Sequence, residues 1–148
     1  MALDDVDTQA ALGNLKKARR VWARISNVLR AENTSARVCG MFYKATVQSV
    51  LLFGSETWAL TPSTLKRLDG FHVRAARRMT GMLPVYAHGL WTYPKTSEVL
   101  ATAGLRTIEH YIRIRRARIF LWVKERPIYQ LCQRAVGGAA PRPACFSI

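Results

Sequence analysis

The least polar stretch of the chain, VQSVLLFGSETWAL over residues 47–60, limits what the rest can fold into. Placed on a helix, its Val47, Val50, Leu51, Leu52, Phe53 and Trp58 point in nearly every direction, and a helix that is apolar all round is a buried one. The run is too short, and too often interrupted by Gln48, Ser49, Ser55 and Glu56, to span a bilayer. It is therefore predicted as the central helix of a small bundle. Gly is unfavourable inside a helix, so Gly54 either admits a close neighbouring helix or marks a local break. Glu56 in apolar surroundings requires a cationic or hydrogen-bonding partner. A structural ion pair accounts for it better than a general base.

Two amphipathic segments flank this stretch. Asp7 and Thr8 are N-cap candidates for a first helix over residues 9–30. Leu12, Leu15, Trp22, Ile25 and Leu29 form one stripe at helical spacing, with Lys16, Lys17, Arg20 and Arg24 opposite. Glu32-Asn33-Thr34 reads as a turn, and Ser35 caps a second helix running through Phe42 to about residue 59. Thr61-Pro62 is a strong start signal for a third helix over 63–80, stopped by Gly81. Its inner face carries Leu65, Leu68, Phe71, His72, Ala75 and Met79; its outer face carries Lys66, Arg67, Arg74, Arg77 and Arg78.

Residues 82–95 (MLPVYAHGLWTYPK) read as an ordered loop, because Trp91 and Tyr93 need burial or a partner. A short helix follows, capped by Thr96 or Ser97 and closed by Gly104. Thr107 caps another to about residue 125, and Pro127 starts a last one to about 135. GGAAPRPACFSI reads as a loose tail. The predicted fold is all-α: a three-helix bundle (8–82), an aromatic and Pro loop (83–95), a helical appendage (96–135) and a flexible tail (136–148). Trp22, Phe42 and Trp58 are predicted to share one core with Leu52 and Leu68.

Lysines and arginines number 23 against 9 acids, a formal net charge of +14. Such an excess points to a polyanion, nucleic acid before an acidic membrane surface. The start MALDDVDTQAAL has no basic, apolar leader, so no secretion signal is expected. Cys39, Cys132 and Cys145 are widely spaced, as free thiols in a reducing compartment are. Asp4, Asp5 and Asp7 suit a helix start. His72, His88 and His110 lack metal-ligand spacing, Cys39 has no acid–base partner nearby, and no Gly-rich phosphate loop occurs. No catalytic residue, metal or cofactor is expected. The basic faces lack interspersed acids, and rows such as Lys16/Arg20/Arg24 place like charges one turn apart, where they repel. A phosphate backbone would relieve that repulsion. Lys16, Lys17, Arg20, Arg24, Lys66, Arg67, Arg74, Arg77 and Arg78 are therefore the candidate nucleic-acid-binding residues.

Together, NLKKARRVWARISNVL, GMFYKATVQSVLLFGSETWAL and LKRLDGFHVRAARRMTGM resemble the region after the polymerase palm in reverse transcriptases of non-LTR (LINE-like) retrotransposons. In that family a Trp-bearing helix precedes an apolar helix ending in an LLYG-x-E-x-W signature. Leu51 to Trp58 match it, with Phe53 in place of the usual Tyr. Leu65, Leu68, Phe71 and the pair Arg77-Arg78 match the helix that follows. Trp91 to Pro94, AGLRTIEHYIRIRRARI and RPIYQLC resemble the downstream segment of some members. The likeness covers residues 12–134 and is most specific over 14–82.

The resemblance implies a thumb, a small helical bundle holding a template–primer duplex by its backbone. The family's paired catalytic aspartates lie upstream of the matched region. Asp4-Asp5 does not reproduce them, since Leu3 precedes it where an aromatic-Ala pair is needed. The implied chain is a non-catalytic carboxy-terminal piece of an RNA-directed DNA polymerase. Its implied partners are RNA/DNA or RNA duplex and a reverse-transcriptase palm, with no membrane. Its implied location is intracellular, nuclear or cytoplasmic, with the nucleus favoured by family resemblance. The alternatives are a helical protein-interaction module, or an element relic without selected function. An exposed apolar patch near the second helix would favour these alternatives, and a positive groove between the first and third helices would favour the thumb.

Overall fold

The computed structural model describes residues 3–128 and 130. Helix α1 (Leu3–Ala31) lies against a helical rod made of α2 (Ala36–Tyr43), a π-helical turn (Lys44–Gln48) and α3 (Ser49–Leu51). Helix α4 (Pro62–Thr80) packs on α1 and α2. A hairpin of β1 (Val85–Ala87) and β2 (Leu90–Thr92) leads to α5 (Thr96–Thr102) and α6 (Ile108–Lys124), both of which pack on α4. The architecture is the expected small helical bundle with a helical appendage. No helix among the described residues is long and apolar enough to cross a membrane. Of the predicted last helix, Pro127, Ile128 and Gln130 are helical; its remainder and the tail 136–148 lie outside the described residues.

The core follows the predicted stripes. Leu15 and Trp22 of α1 meet Tyr43, Val47 and Leu51 of the central rod and Leu68, Phe71 and Ala75 of α4. Trp22 meets Tyr43 edge to face, with centroids 5.7 Å apart. Both predicted signals at the ends of α4 operate. Thr61 Oγ1 accepts from the backbone N–H of Thr64, and Gly81 closes the helix in the left-handed conformation with φ 70°. Thr107 caps α6 through the N–H of His110. Gly40 is required by contact: a Cβ there would stand 1.9 Å from the carbonyl oxygen of Ala103, so α2 and the end of α5 meet backbone to backbone.

The short helix α5 is not capped by Thr96 or Ser97: Lys95 holds the N-cap position, without a side-chain cap hydrogen bond, and Thr96 and Ser97 lie inside the helix. Four further expectations need correction. First, α1 begins at Leu3, so Asp7 and Thr8 lie inside the helix and are not its caps. Asp7 instead accepts the backbone N–H of Ala59 at 2.7 Å. Second, the central helix stops at Leu51. Gly54 sits at φ 74°, which L side chains rarely adopt, so it marks a break. Third, the end of the rod is not buried all round. Phe42 and Phe53 are 52% and 75% exposed, and Phe42 is outside the core assigned to it. Trp58, Leu52 and Leu68 are inside it. Fourth, residues 85–92 form a hairpin and not a loop. Its turn residues His88 and Gly89 have φ of 50° and 77°, the positive values that a tight two-residue hairpin turn requires.

Candidate nucleic-acid interface

The irregular stretch after α3 is fixed by polar groups of α1 and α6. Asn14 Nδ2 donates to the carbonyl of Phe53 at 2.9 Å. Arg115 Nη1 donates at 3.0 Å to both the carbonyl of Leu52 and the carboxylate of Glu56. Arg116 donates to the carbonyl of Trp58. Glu56 thus has the structural ion pair that its sequence setting demanded. Trp58 is only 4% exposed, and its burial is helped by partners for its own carbonyl and for the N–H of Ala59. Two arginines of α6 are therefore committed to the fold.

A second buried node joins α2, α4 and the start of α6. The imidazole Nε2 of His72 lies 2.8 Å from the carbonyl of Arg106, which can only accept. Nε2 therefore carries the proton, and Nδ1 accepts from the Tyr43 hydroxyl at 3.0 Å. Burial pushes the His72 pKa below its ordinary value, opposed by the Arg106 hydrogen bond and the charge of Asp69. Burial pushes the Tyr43 hydroxyl up. A neutral imidazole held on both sides is a structural joint, and no substrate-sized opening reaches it.

The candidate cations fall into separate groups. Arg67, Arg74 and Arg78 share one stripe of α4 at whole-turn spacings. Arg74 and Arg78 border a shallow depression of about 240 Å³ with Trp22, Phe71 and Ala75 at the α1/α4 seam. A neighbouring depression continues along Trp22 and Arg78 to Ser26 and Asn33. Arg19 lies two turns before Ser26 on the same flank of α1 and is exposed. It is the residue that sequence reasoning missed, because it stands between the apolar stripe and the basic face. Lys16, Lys17, Arg20 and Arg24 are exposed farther round α1 and do not line either depression. Lys66 and Arg77 lie about 60–80° round α4 from Arg74 and border neither depression. The Arg77 guanidinium stands over the ring of Tyr93, 5.9 Å from its centroid.

None of these cations has a carboxylate partner among the described residues, where the ion pairs are Arg115–Glu56 and the long Lys95–Glu98 contact at 4.0 Å. No group of three or more His, Cys, Asp or Glu among the described residues could hold a metal ion. Cys39 is buried, which pushes its thiol pKa up and away from nucleophilic use. Cations without carboxylate partners are an arrangement that suits anions. Comparison with protein-family models, with curated proteins and with solved structures finds no match.

Proposed function

We propose that this chain binds the backbone of nucleic-acid duplexes without reading their sequence, as the thumb and post-thumb piece of a non-LTR reverse transcriptase, and does not itself polymerise. The observation that carries the proposal is the stripe of Arg67, Arg74 and Arg78 on α4, none of which has an ion-pair partner among the described residues, with Arg74 and Arg78 at the α1/α4 seam. Guanidinium groups in such a row suit successive phosphates, which fix position but carry no sequence information. A palm partner and a nuclear location follow from the resemblance.

The test is a salt titration of duplex binding, read by fluorescence anisotropy. Each cation that neutralises a phosphate contributes about 0.7–0.9 to the slope of log K against log salt. Changing Arg74 and Arg78 together to Gln should lower that slope by roughly 1–2 units and leave base-sequence preference flat. Arg20→Gln with Arg24→Gln reports whether the phosphate path continues round α1. If the Arg74/Arg78 variant keeps the parent slope, the seam is only solvated surface.

A second reading, a protein-interaction module, is favoured by the exposed apolar side chains Val38, Met41 and Phe42 on one side of α2 and by exposed Phe53 beyond α3. In a thumb attached to its polymerase, these side chains would meet the palm. Added palm protein that protects them from labelling, with no duplex binding by the parent chain, would put the second reading first.

A further inference from the structure

The hairpin carries three aromatic rings that the fold leaves uncovered. Tyr86 and Trp91 are paired across the strands, and Tyr93 follows Trp91 on the same face. Their centroids are 5.2 Å and 6.5 Å apart in sequence along the row. Tyr86, Trp91 and Tyr93 are 59%, 60% and 59% exposed. The rings support one another, so the row is ordered before any partner arrives. The surroundings are cationic. Arg77 stands over Tyr93, Lys95 follows two residues later with the exposed Glu98 carboxylate 4.0 Å from its ammonium, and no acid occurs from Met82 to Ser97.

We infer that the Tyr86–Trp91–Tyr93 row is a stacking platform for unpaired bases of a single-stranded nucleic acid, with Arg77 and Lys95 beside its phosphates. The inference rests on the proposed function for the class of partner and adds the strand type and the site. Rings spaced along a strand and flanked by positive charge offer a face to any base, because every base has a π-face. A buried duplex base pair cannot use such a row, since its faces are already stacked. The α1/α4 seam and the hairpin thus divide the work between paired and unpaired nucleic acid. An acid-free, cation-flanked row suits a polyanion better than an apolar protein face, which gains nothing from Arg77 and Lys95.

The test compares three labelled probes in anisotropy titrations: an oligothymidylate, an abasic strand with the same number of phosphates, and a duplex. Stacking of one base is worth enough that Trp91→Ala should weaken oligothymidylate binding roughly tenfold. Abasic and duplex binding should not change, and Trp91→Phe should restore most of the loss. Tyr86→Ala should act in the same direction, which guards against a Trp91→Ala hairpin that has merely melted. Unchanged oligothymidylate binding in both alanine variants, or an equal loss on the abasic strand, overturns the platform while duplex binding by the parent still upholds the seam. Binding of none of the probes by the parent overturns both. Self-association of the parent that Trp91→Ala abolishes, with nucleic-acid binding intact, assigns the rings to contact between copies and also overturns the platform.

Discussion

Two tryptophans sit in stretches that join helices, and they end in opposite environments. Trp58 follows a broken helix end, yet is buried. Trp91 stands in a regular hairpin, yet is exposed. Ring size and hydrophobicity do not separate them. The difference is in the backbone around each. The carbonyls of Leu52, Phe53 and Trp58 and the N–H of Ala59 are all taken by side chains of α1 and α6. An irregular segment is buried only when its polar backbone has such partners. The hairpin satisfies its own backbone across two strands, and among the described residues no third strand joins it. It stays outside.

The largest expected effect is at Trp58. Trp58→Ala removes a large buried ring and should destabilise the domain by roughly 3–5 kcal/mol, a large share of the stability of a small domain. A urea transition overlaying that of the parent would contradict the core placement. Next in size is the clamp. Arg115→Met removes hydrogen bonds to Leu52 and to the carboxylate of Glu56, leaving Glu56 with 20% side-chain exposure and no cation. The expected loss is about 1–3 kcal/mol, the range for hydrogen bonds to charged groups. Glu56→Gln in the Arg115→Met background should recover part of it. A double-mutant cycle showing no coupling would mean that burial of Trp58 does not depend on this pair.

The contrast between the two stretches was only half legible in the sequence. Helices α1 and α4 were readable from their apolar stripes, and α4 and α6 also from end signals (Thr61-Pro62, Gly81, Thr107), because these are local. The anchors of the Trp58 segment were not. Asp7 and Asn14 look like ordinary residues of a helix start, and Arg115 and Arg116 look like surface charge. Their partners lie 39 to 63 positions away in sequence. The need for a partner at Glu56 was legible, since a carboxylate among apolar residues states it. Which arginine answers was not. Phe42 and Phe53 misled for a related reason: apolar residues on all sides of a segment imply burial only if neighbours cover every side, and periodicity contains no information on the neighbours. Among the site residues, the basic character of α1 and α4 was plain. The split of α4 into an Arg74/Arg78 flank and a Lys66/Arg77 flank depends on where α1 and the hairpin lie.

A smaller, pH-dependent effect should separate the clamped side of the molecule from the free one. His72 ties α4 to the residue before α6, the helix that carries the clamp. Its folded-state pKa is lowered, chiefly by burial, so the unfolded chain binds the proton more readily. This contribution is fully present above the ordinary value of 6.5 and is lost as pH falls through 6.5 toward the folded value. Thermal midpoints should fall between pH 7 and pH 5 in the parent and fall less in His72→Gln. Equal slopes for the two proteins would show that the imidazole does not stay neutral in the fold.

The smallest expected effect is at Trp91, and it is the sharpest test of the comparison. Trp91→Ala removes the same side chain as Trp58→Ala, but from an exposed position. It loses the contact with Tyr86, worth about 0.2–1 kcal/mol to the strand pair itself. That loss falls on a two-stranded hairpin, which opens locally at little expense to the rest of the fold. Unfolding of the bundle should therefore shift by no more than about 0.5 kcal/mol. The fluorescence of buried Trp22 and Trp58 reports on the bundle independently of the hairpin. A shift above about 1 kcal/mol by that probe would mean that the hairpin is part of the same cooperative unit as the core. The rings would then belong to the stability of the fold, and their exposure would no longer mark a surface kept for a partner. A null shift combined with loss of oligothymidylate binding would separate folding from binding at one residue.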